Sequence, residues 1–397
     1  MKFYAVRSLC ALLAASALLA AAPAPTSINA DYPVPAPLPS GAPGTLLWQR
    51  SLHNGAAIPE AARNILLLYT TVSATGERVA VSGTLAIPPG TAPKGGWPII
   101  SWAHGTTGNA PRCAPSRDDT PNVEQRMLAA WVHAGYAVAQ TDYEGEATPG
   151  IHPYLVAAAS AHDLTDIVRA ARQIDPQIGR QWIVMGHSEG GTAAIATAGA
   201  GQAWAPRLQL VGAVSYAPAS HIALVLNSMA HSNRASRSLP LLAMMVEGIA
   251  SADPMIDLAR ILSPTGLQHQ PELQMHCAGA LMRNLWWATT PTNQYFRSPG
   301  AVERLLPDFK RNDPGRLNPA VPLLLVQGSR DSMVGPSMTA DLSGQLCQRG
   351  ADVALRSVVG ATHDSVQRES VPAVLRWVAD RFAGRPAHST CNNSGFL

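Results

Sequence analysis

The chain has 397 residues, of which 47% are hydrophobic and 14% are charged, and its formal net charge is +3. This composition is typical of a globular protein with a large core and excludes a disordered chain. The sequence contains no basic patch and no run of like charge, which argues against a protein that binds nucleic acid.

The first 30 residues have the pattern of a secretory signal peptide. Lys2 and Arg7 form a short positive region, and small residues follow the apolar run from Leu9 to Ala22. The run is too short to span a bilayer comfortably, although an uncleaved anchor is the alternative. We therefore predict a secreted protein, extracellular or periplasmic, whose signal peptide (1–30) is cleaved between about 22 and 30.

A proline-rich lead over 31–44 follows the signal peptide. This composition predicts a segment that is extended along the surface or disordered. Ordered elements then begin with two β-rich runs at 64–71 and 78–87. Turn residues at 74–77 join them, which predicts an antiparallel hairpin.

Strands and helices alternate along the rest of the chain. The alternation predicts right-handed crossovers and a mostly parallel, eight-stranded α/β sheet with helices on both faces. Continuous apolar runs such as 322–326 are what strands covered on both faces need. The remaining predicted strands are 97–103, 136–141, 181–187, 210–216, 321–327 and 353–359, and the clearest predicted helices are 121–134, 155–174, 337–348 and 368–383.

Residues 219–316 interrupt this alternation between the sixth and seventh predicted strands. The segment is predicted to be helical and must leave the sheet and return, so we interpret it as a cap over the strand ends. The sheet domain then comprises 45–218 and 317–384, and 385–397 form a tail. Trp286 and Trp287 are predicted to bind substrate in the cap, with the alternative that they form the cap's own core.

The cysteines indicate an oxidising compartment. Cys10 lies in the signal peptide, and an even number remains in the exported chain, which predicts two disulfides with three possible pairings. Their spacing fits no zinc motif and the sequence contains no H-E-x-x-H, so we predict no metal and no cofactor. The remaining cysteines are Cys113, Cys277, Cys347 and Cys391.

A G-x-S-x-G pattern from Gly186 to Gly190 follows an apolar run of strand length and precedes small residues. Strand, tight turn and helix in this order predict that the Ser188 hydroxyl stands above the end of a sheet as a nucleophile. Glycines flank the serine because side chains there would clash in so tight a turn. The alternative is a glycine-rich turn with an idle serine.

A serine nucleophile needs a histidine base and an acid, which in this architecture follow later in the chain in the order Ser, acid, His. Asp331 follows the seventh predicted strand and His363 follows the eighth, so we predict that they complete a triad with Ser188. Asp364 is the rival acid, ranked second because adjacent residues rarely face each other. His187 is a poor candidate for the base for the same reason.

The tetrahedral intermediate needs N–H donors for its oxyanion. We predict the backbone N–H of Glu189, directly after the nucleophile, and that of Thr106 in the glycine-containing loop after the third strand. His104 and Gly105 in the same loop are predicted to lie against the substrate. A simple glycine turn is the alternative for this loop.

Taken together, these stretches resemble the α/β-hydrolases and, more narrowly, the secretory lipase family, which includes fungal lipase A-type enzymes and exported bacterial lipases. The resemblance covers roughly 60–370. It rests on His104-Gly105-Thr106 with Cys113-Ala114-Pro115-Ser116, Gly135-Tyr136 leading to Asp142-Tyr143-Glu144-Gly145, Gly186 to Gly191, Gln327-Gly328 with Asp331, and Gly360 with His363.

The resemblance implies an α/β-hydrolase fold, a Ser-Asp-His triad and a cap that covers an acyl tunnel. It also implies a disulfide from Cys113 to the cap, Cys113–Cys277, with Cys347–Cys391 as the second pair. The fungal members have a different residue in the oxyanion loop and a different second cysteine pair. The resemblance therefore implies no particular acyl length.

The sequence as a whole predicts a secreted serine carboxylic ester hydrolase, a lipase or esterase that forms an acyl-enzyme. Its expected partners are a small-molecule or lipid ester and, transiently through the cap, a lipid interface; neither nucleic acid nor metal is expected. Three alternatives remain: a cell-wall polysaccharide esterase or an acyltransferase with the same triad, and a non-catalytic hydrolase-like binding protein. A cap pocket suited to sugar would favour the wall substrate.

Overall fold

The computed structural model describes residues 32–120 and 122–391. The predicted signal peptide at 1–30 and the end of the predicted tail lie outside the described residues. The strands are β1 (Leu46–Ser51), β2 (Arg63–Val72), β3 (Arg78–Ile87), β4 (Trp97–Ala103), β5 (Ala137–Thr141), β6 (Ile178–His187), β7 (Gln209–Tyr216), β8 (Leu323–Gly328) and β9 (Val353–Val358).

Helices connect most of these strands. The five helices that alternate with the strands are α1 (Val123–His133), α2 (Ala157–Ile174), α3 (Glu189–Trp204), α11 (Pro336–Gln348) and α12 (Val366–Phe382). Those between β7 and β8 are α4 (Ile222–His231), α5 (Leu239–Ala252), α6 (Leu258–Ile261), α7 (Pro264–His269), α8 (Ala278–Leu281), α9 (Leu285–Thr289) and α10 (Leu306–Asn312). No helix within 32–120 and 122–391 is long and apolar enough to cross a membrane.

Within the described residues, nine strands form one sheet in the order β1-β2-β3-β5-β4-β6-β7-β8-β9. The pairs β1-β2, β2-β3 and β3-β5 are antiparallel, and all the others are parallel. The predicted mostly parallel sheet and the β2-β3 hairpin are confirmed. The predicted number of eight strands is wrong, because β1 pairs with β2 as an edge strand. Three of its six residues are exposed, so it lacks the apolar pattern of a covered strand.

Helices cover both faces of the sheet, as predicted. Helices α2, α3 and α11 pack against one face, and α1 and α12 pack against the other. Successive residues of β6 point to opposite faces, so that Trp182 joins the first apolar layer and Ile183 the second. Both are fully buried. This two-sided burial is why the strand is an uninterrupted apolar run rather than an alternating one.

Residues 219–316, which we call the insertion, leave the sheet after β7 and return before β8. Its helices pack around an apolar cluster of their own, whose buried members include Leu242, Met244, Trp287 and Phe309. Residues 154–156, in the loop before α2, belong to the same cluster. The insertion is therefore packed against the loop that follows β5.

Two disulfides connect distant parts of the described chain. Cys113 is bonded to Cys277, which ties the loop after β4 to the insertion. Cys347 is bonded to Cys391, which ties the end of α11 to the C-terminal segment. Both pairs are those that the family resemblance implied.

Removing the second disulfide should destabilise the protein. We expect the double substitution C347A/C391A to lower the free energy of unfolding by about 2–4 kcal/mol, because the bridge restricts the unfolded chain. Urea unfolding of the two proteins measures the difference, and peptide mapping without reduction checks the pairing in the parent. Equal urea midpoints for the parent and the variant would contradict this expectation.

Candidate active site

The predicted catalytic residues follow the carboxyl ends of neighbouring parallel strands. Ser188 follows β6, Asp331 follows β8, His363 follows β9, and Thr106 follows β4. Parallel strands place these ends at one edge of the sheet, where ligands bind in open α/β folds. The topology therefore gathers residues that lie up to 257 positions apart, counted from Thr106 to His363.

Ser188 occupies a strained turn between β6 and α3. Its backbone angles are φ 56° and ψ −113°, and its N–H donates to the Tyr216 carbonyl at 2.9 Å. Such a conformation costs a non-glycine residue about 1–3 kcal/mol and persists only where the surrounding structure enforces it. It presents the Ser188 side chain beyond the end of the strand.

Close backbone packing explains the glycines around this turn. A Cβ on Gly186 would lie 2.3 Å from the Gly190 carbonyl oxygen. A Cβ on Gly190 would lie 2.0 Å from the Ala103 carbonyl oxygen. Neither distance is compatible with a side chain, so the turn requires glycine at both positions.

Asp331 holds His363 through a direct hydrogen bond. The Nδ1 of His363 lies 2.7 Å from Oδ2 of Asp331. The Met333 and Val334 N–H groups donate to the other oxygen of Asp331 at 2.8 and 2.9 Å, and the Gln327 amide donates to Oδ2 at 3.0 Å. Burial alone would raise the pKa of Asp331, but the hydrogen bond and positive charge of His363, with the two N–H groups, lower it below its usual value.

The position of Asp364 distinguishes it from Asp331. Asp364 is exposed, whereas Asp331 is buried and occupies the Nδ1 side of His363. The structure thus places Asp331 where the acid of a triad belongs. Within the described residues the Ser188 hydroxyl and His363 are not in hydrogen-bond contact, and in free enzymes this contact commonly closes only with substrate.

His187 supports the loop that carries His363. Its Nε2–H donates to the His363 carbonyl at 2.9 Å, and the two rings lie 4.5 Å apart. Burial, together with the nearby charge of His363, lowers the pKa of His187 to about 3. His187 is therefore neutral at ordinary pH and acts as a positioning residue. The sequence indicated only a poor base candidate at this position, because the contact with His363 spans 176 positions.

The loop after β4 is fixed from the side of the insertion. The Thr106 hydroxyl shares a hydrogen bond of 2.7 Å with the Tyr154 hydroxyl, and the Ala278 N–H donates to the Thr107 carbonyl at 2.8 Å. The Asn109 amide donates to Glu247 at 2.8 Å. Together with the nearby disulfide, these contacts hold the predicted oxyanion loop against the insertion.

A cavity of about 140 Å³ opens beside Ser188, between the oxyanion loop and the insertion. Most of its wall is apolar. Its lining residues are Thr106, Tyr154, Ser188, Ala219, Ser220, Ile222, Val225, Met229, Ser238, Leu241, Leu242, Met245, Met333, Val334 and Met338.

A comparison with known protein families shows which family the chain belongs to. The secretory lipase family matches residues 119–390. The chain belongs to the secretory lipase family.

Solved structures similar to this chain agree with it in architecture. The closed state of Candida antarctica lipase A superposes with a TM-score of 0.73 at 18% identity, covering 88% of this chain and 85% of that one. A ligand-bound form of the rice cell wall degrading esterase LipA from Xanthomonas oryzae gives a TM-score of 0.67 at 22% identity, covering 85% and 98%. These likenesses confirm the predicted α/β-hydrolase fold.

One relative bears a name that suggests lost activity. A Mycobacterium tuberculosis protein called a probable inactive lipase is 27% identical over 380 residues, covering 89% of this chain and 82% of that protein. The name describes that protein alone. Membership of the family therefore does not by itself establish catalytic activity.

Trp286 and Trp287, for which substrate contacts were predicted, do not lie at the cavity beside Ser188. Trp287 is fully buried in the apolar cluster of the insertion and donates its indole N–H to Glu272 at 2.8 Å. Trp286 packs against the same cluster and stacks on His269 with ring centres 3.7 Å apart. Neither lines the cavity at Ser188. Both belong to the core of the insertion, because their rings are large enough to fill it.

His104 and Gly105 also differ from prediction. His104 is 1% exposed, and its ring turns away from the Ser188 cavity towards buried Glu146. Gly105 lies beside His187 and lines a separate cavity on the other side of the oxyanion loop. These two residues shape the loop from beneath rather than contacting the cavity at Ser188.

A buried polar cluster lies beneath the nucleophile. His152 Nε2 lies 2.8 Å from Glu189 Oε1 and 3.7 Å from Glu146 Oε1, and His104 Nε2 lies 3.5 Å from Glu146 Oε2. Burial and the Glu189 carboxylate raise the pKa of Glu146, and burial lowers the pKa of His104. No local motif pointed to this cluster, because three separate segments contribute to it.

The lowered pKa of His187 predicts how the free energy of unfolding depends on pH. In the unfolded chain this histidine binds a proton below pH 6.5, whereas in the folded chain it does so only near pH 3. The stability that the folded chain has with His187 neutral is therefore complete above pH 6.5 and is lost as the pH falls towards 3, because the proton then binds preferentially to the unfolded chain. Between pH 7 and 5 we expect wild type to lose about 2 kcal/mol more unfolding free energy than H187Q, which cannot titrate. Chemical unfolding at each pH measures this, and parallel pH profiles would contradict it.

Proposed function

We propose that this member of the secretory lipase family is a secreted serine carboxylic ester hydrolase that works through an acyl-enzyme. The observation that carries the proposal is the 2.7 Å hydrogen bond between Asp331 and His363 at the sheet edge where the strained Ser188 turn ends β6. The hydrogen bond orients the imidazole and stabilises its charged form. The turn exposes the hydroxyl to a substrate carbonyl.

In the proposed reaction, Ser188 attacks the ester carbonyl while His363 takes its proton. His363 then gives the proton to the leaving alcohol, and water repeats the two steps to release the acid. The N–H groups of Glu189 and Thr106 stabilise the oxyanion. Glu189 is the first residue of α3, so its N–H has no acceptor within the helix.

The non-catalytic alternative has less support in this chain. A binding protein has no need of a strained serine, yet Ser188 keeps its positive φ beside an intact acid and histidine. The carboxylate of Asp331 accepts hydrogen bonds from Gln327, Met333 and Val334 in addition to His363. This degree of preorganisation is expected where a charged imidazole has to be stabilised.

The cavity supports an acyl group of modest length as the substrate part bound beside Ser188. Its volume of about 140 Å³ is below the roughly 300–1,000 Å³ of ordinary small-molecule pockets. Its wall is built mainly from leucine, isoleucine, valine and methionine, which suits a hydrocarbon chain better than a sugar. The insertion would then act as a cap that sets specificity, and its flexible methionines allow some adjustment.

Export is part of the proposal. Both disulfides close between residues far apart in sequence, and such bonds persist in oxidising compartments. The signal-like N-terminus supports the same location.

Substitution of the triad tests the mechanism. We expect S188A to abolish both ester hydrolysis and covalent labelling by a fluorophosphonate. D331N should lower kcat by about four orders of magnitude, because His363 loses its charge partner and its correct tautomer. D364N is the matched control and should retain nearly the wild-type rate. The reverse order of D331N and D364N would assign the acid to Asp364, and an S188A variant that still hydrolyses esters would refute the mechanism.

Substitution of Leu241 tests the cavity. L241A should shift the preference among p-nitrophenyl esters towards longer acyl chains, by up to about fourfold in kcat/KM for each additional buried methylene. L241W should shift it towards shorter chains. W286A is the control, because Trp286 lies outside the cavity wall and should leave the ranking unchanged. A ranking that responds to W286A but not to Leu241 substitutions would place the acyl site elsewhere.

A further inference from the structure

The buried cluster beneath the nucleophile has no role in the reaction described above. Its central members are Glu146, His152 and Glu189, whose side-chain ligand atoms all lie within 4.8 Å of one another. His104 approaches the cluster from the far side of Glu146. Each of the four residues is at most 4% exposed.

The two histidines present their Nε2 atoms to the carboxylates. The Nδ1 of His152 lies 3.0 Å from the Glu144 carbonyl, and the Nδ1 of His104 lies 2.8 Å from the Gly105 carbonyl. A carbonyl accepts only, so each Nδ1 carries a proton and donates it. This is how proteins orient the imidazoles of metal ligands, leaving Nε2 to face the ion.

One oxygen of each carboxylate has no hydrogen-bond partner among the described residues. Oε2 of Glu146 and Oε2 of Glu189 are fully buried and have no hydrogen-bond partner in the described part of the chain. Glu146 is 1% exposed and is directed between the two imidazoles. A buried carboxyl oxygen without a partner loses its hydration and gains no hydrogen bond in return.

No arginine or lysine compensates this charge. Among the described residues, the ion-pair partners of Glu146 and Glu189 are the histidines of the cluster themselves. Two buried carboxylates that meet without a fixed cation repel each other, which disfavours the arrangement. A divalent cation would neutralise both.

We propose that Glu146, His152 and Glu189 bind one divalent metal ion of the Zn²⁺ class. Imidazole nitrogen combined with carboxylate oxygen is a ligand set that zinc accepts. Ligand atoms around a tetrahedral zinc are roughly 3.4 Å apart. The contact of Glu146 with His152, at 3.7 Å, is close to this spacing, and the 2.8 Å contact of His152 with Glu189 would widen.

The ion would have a structural role. Glu189 follows Ser188 directly and supplies a proposed oxyanion N–H. One ion would fix Glu189, and with it this half of the proposed oxyanion hole, to the loop after β5 that carries Glu146 and His152. The metal would not contact the substrate, so the proposal is independent of the ester hydrolase mechanism.

Metal analysis of the whole secreted protein tests the proposal. We expect about one equivalent of zinc per chain by inductively coupled plasma mass spectrometry, in tag-free protein from zinc-supplemented medium. After treatment with a chelator, adding Zn²⁺ alone should raise the Tm. Wild-type protein that is metal-free and whose Tm does not respond to added Zn²⁺ would overturn the proposal and leave the cluster held by shared protons.

Matched substitutions locate the site. E146Q keeps the shape of the side chain but removes a ligand charge, so it should weaken Zn²⁺ binding by at least about 100-fold in a calorimetric titration. E124Q makes the same change in α1, outside the cluster, and should bind Zn²⁺ like wild type. Should E146Q fail to fold, the wild-type metal content and Tm response still decide the question. Equal Zn²⁺ affinity of E146Q and wild type would also overturn the assignment.

Labelling separates this proposal from the proposed function. The same samples are treated with a fluorophosphonate and assayed on p-nitrophenyl esters. Active, labelled protein without bound zinc would reject the metal site and retain the ester hydrolase. Protein that binds one zinc but is neither labelled nor active would support the metal site and reject the ester hydrolase.

Discussion

The backbone turn at Ser188 is the constraint on which the site depends. A serine at φ 56° is held there only because β6 and α3 meet at very short range, and that approach requires glycine at 186 and 190. The same approach explains why the start of α3 is buried on all sides and is built from small residues. The turn sets the nucleophile at the sheet edge, and every other element of the site is arranged around that position.

Much of the fold and of the candidate site could be predicted because their signals are local. β6 is covered on both faces, so it is a continuous apolar run, and Ser188, Asp331 and His363 each follow a strand end. Parallel topology then brings the three ends to one edge without any knowledge of contacts. The edge strand β1 was missed because half of its residues are exposed and it has no apolar run.

Contacts between distant segments could not be predicted in the same way. The hydrogen bonds of Tyr154 to Thr106 and of His187 to His363 join residues whose neighbours in sequence give no hint of the partner. The tryptophans of the insertion illustrate the converse error. A pair of adjacent tryptophans suits a hydrocarbon pocket and a hydrophobic core equally well, and only the packing around Trp287 distinguishes the two.

The expectation that the chain has no metal site rested on the absence of short-range spacing motifs. The cluster at Glu146 contains no such motif, so the sequence carries no signal for it. Its ligands come from the loop after β5 and from the first residue of α3. Glu189 thereby joins two networks: its backbone lies at the nucleophile and its side chain lies in the cluster. The predicted oxyanion loop is likewise held from two sides, by Tyr154 at Thr106 and by the insertion at Thr107 and Asn109. The geometry around Ser188 is therefore set from below by buried polar contacts, while the cavity wall above it comes largely from the insertion.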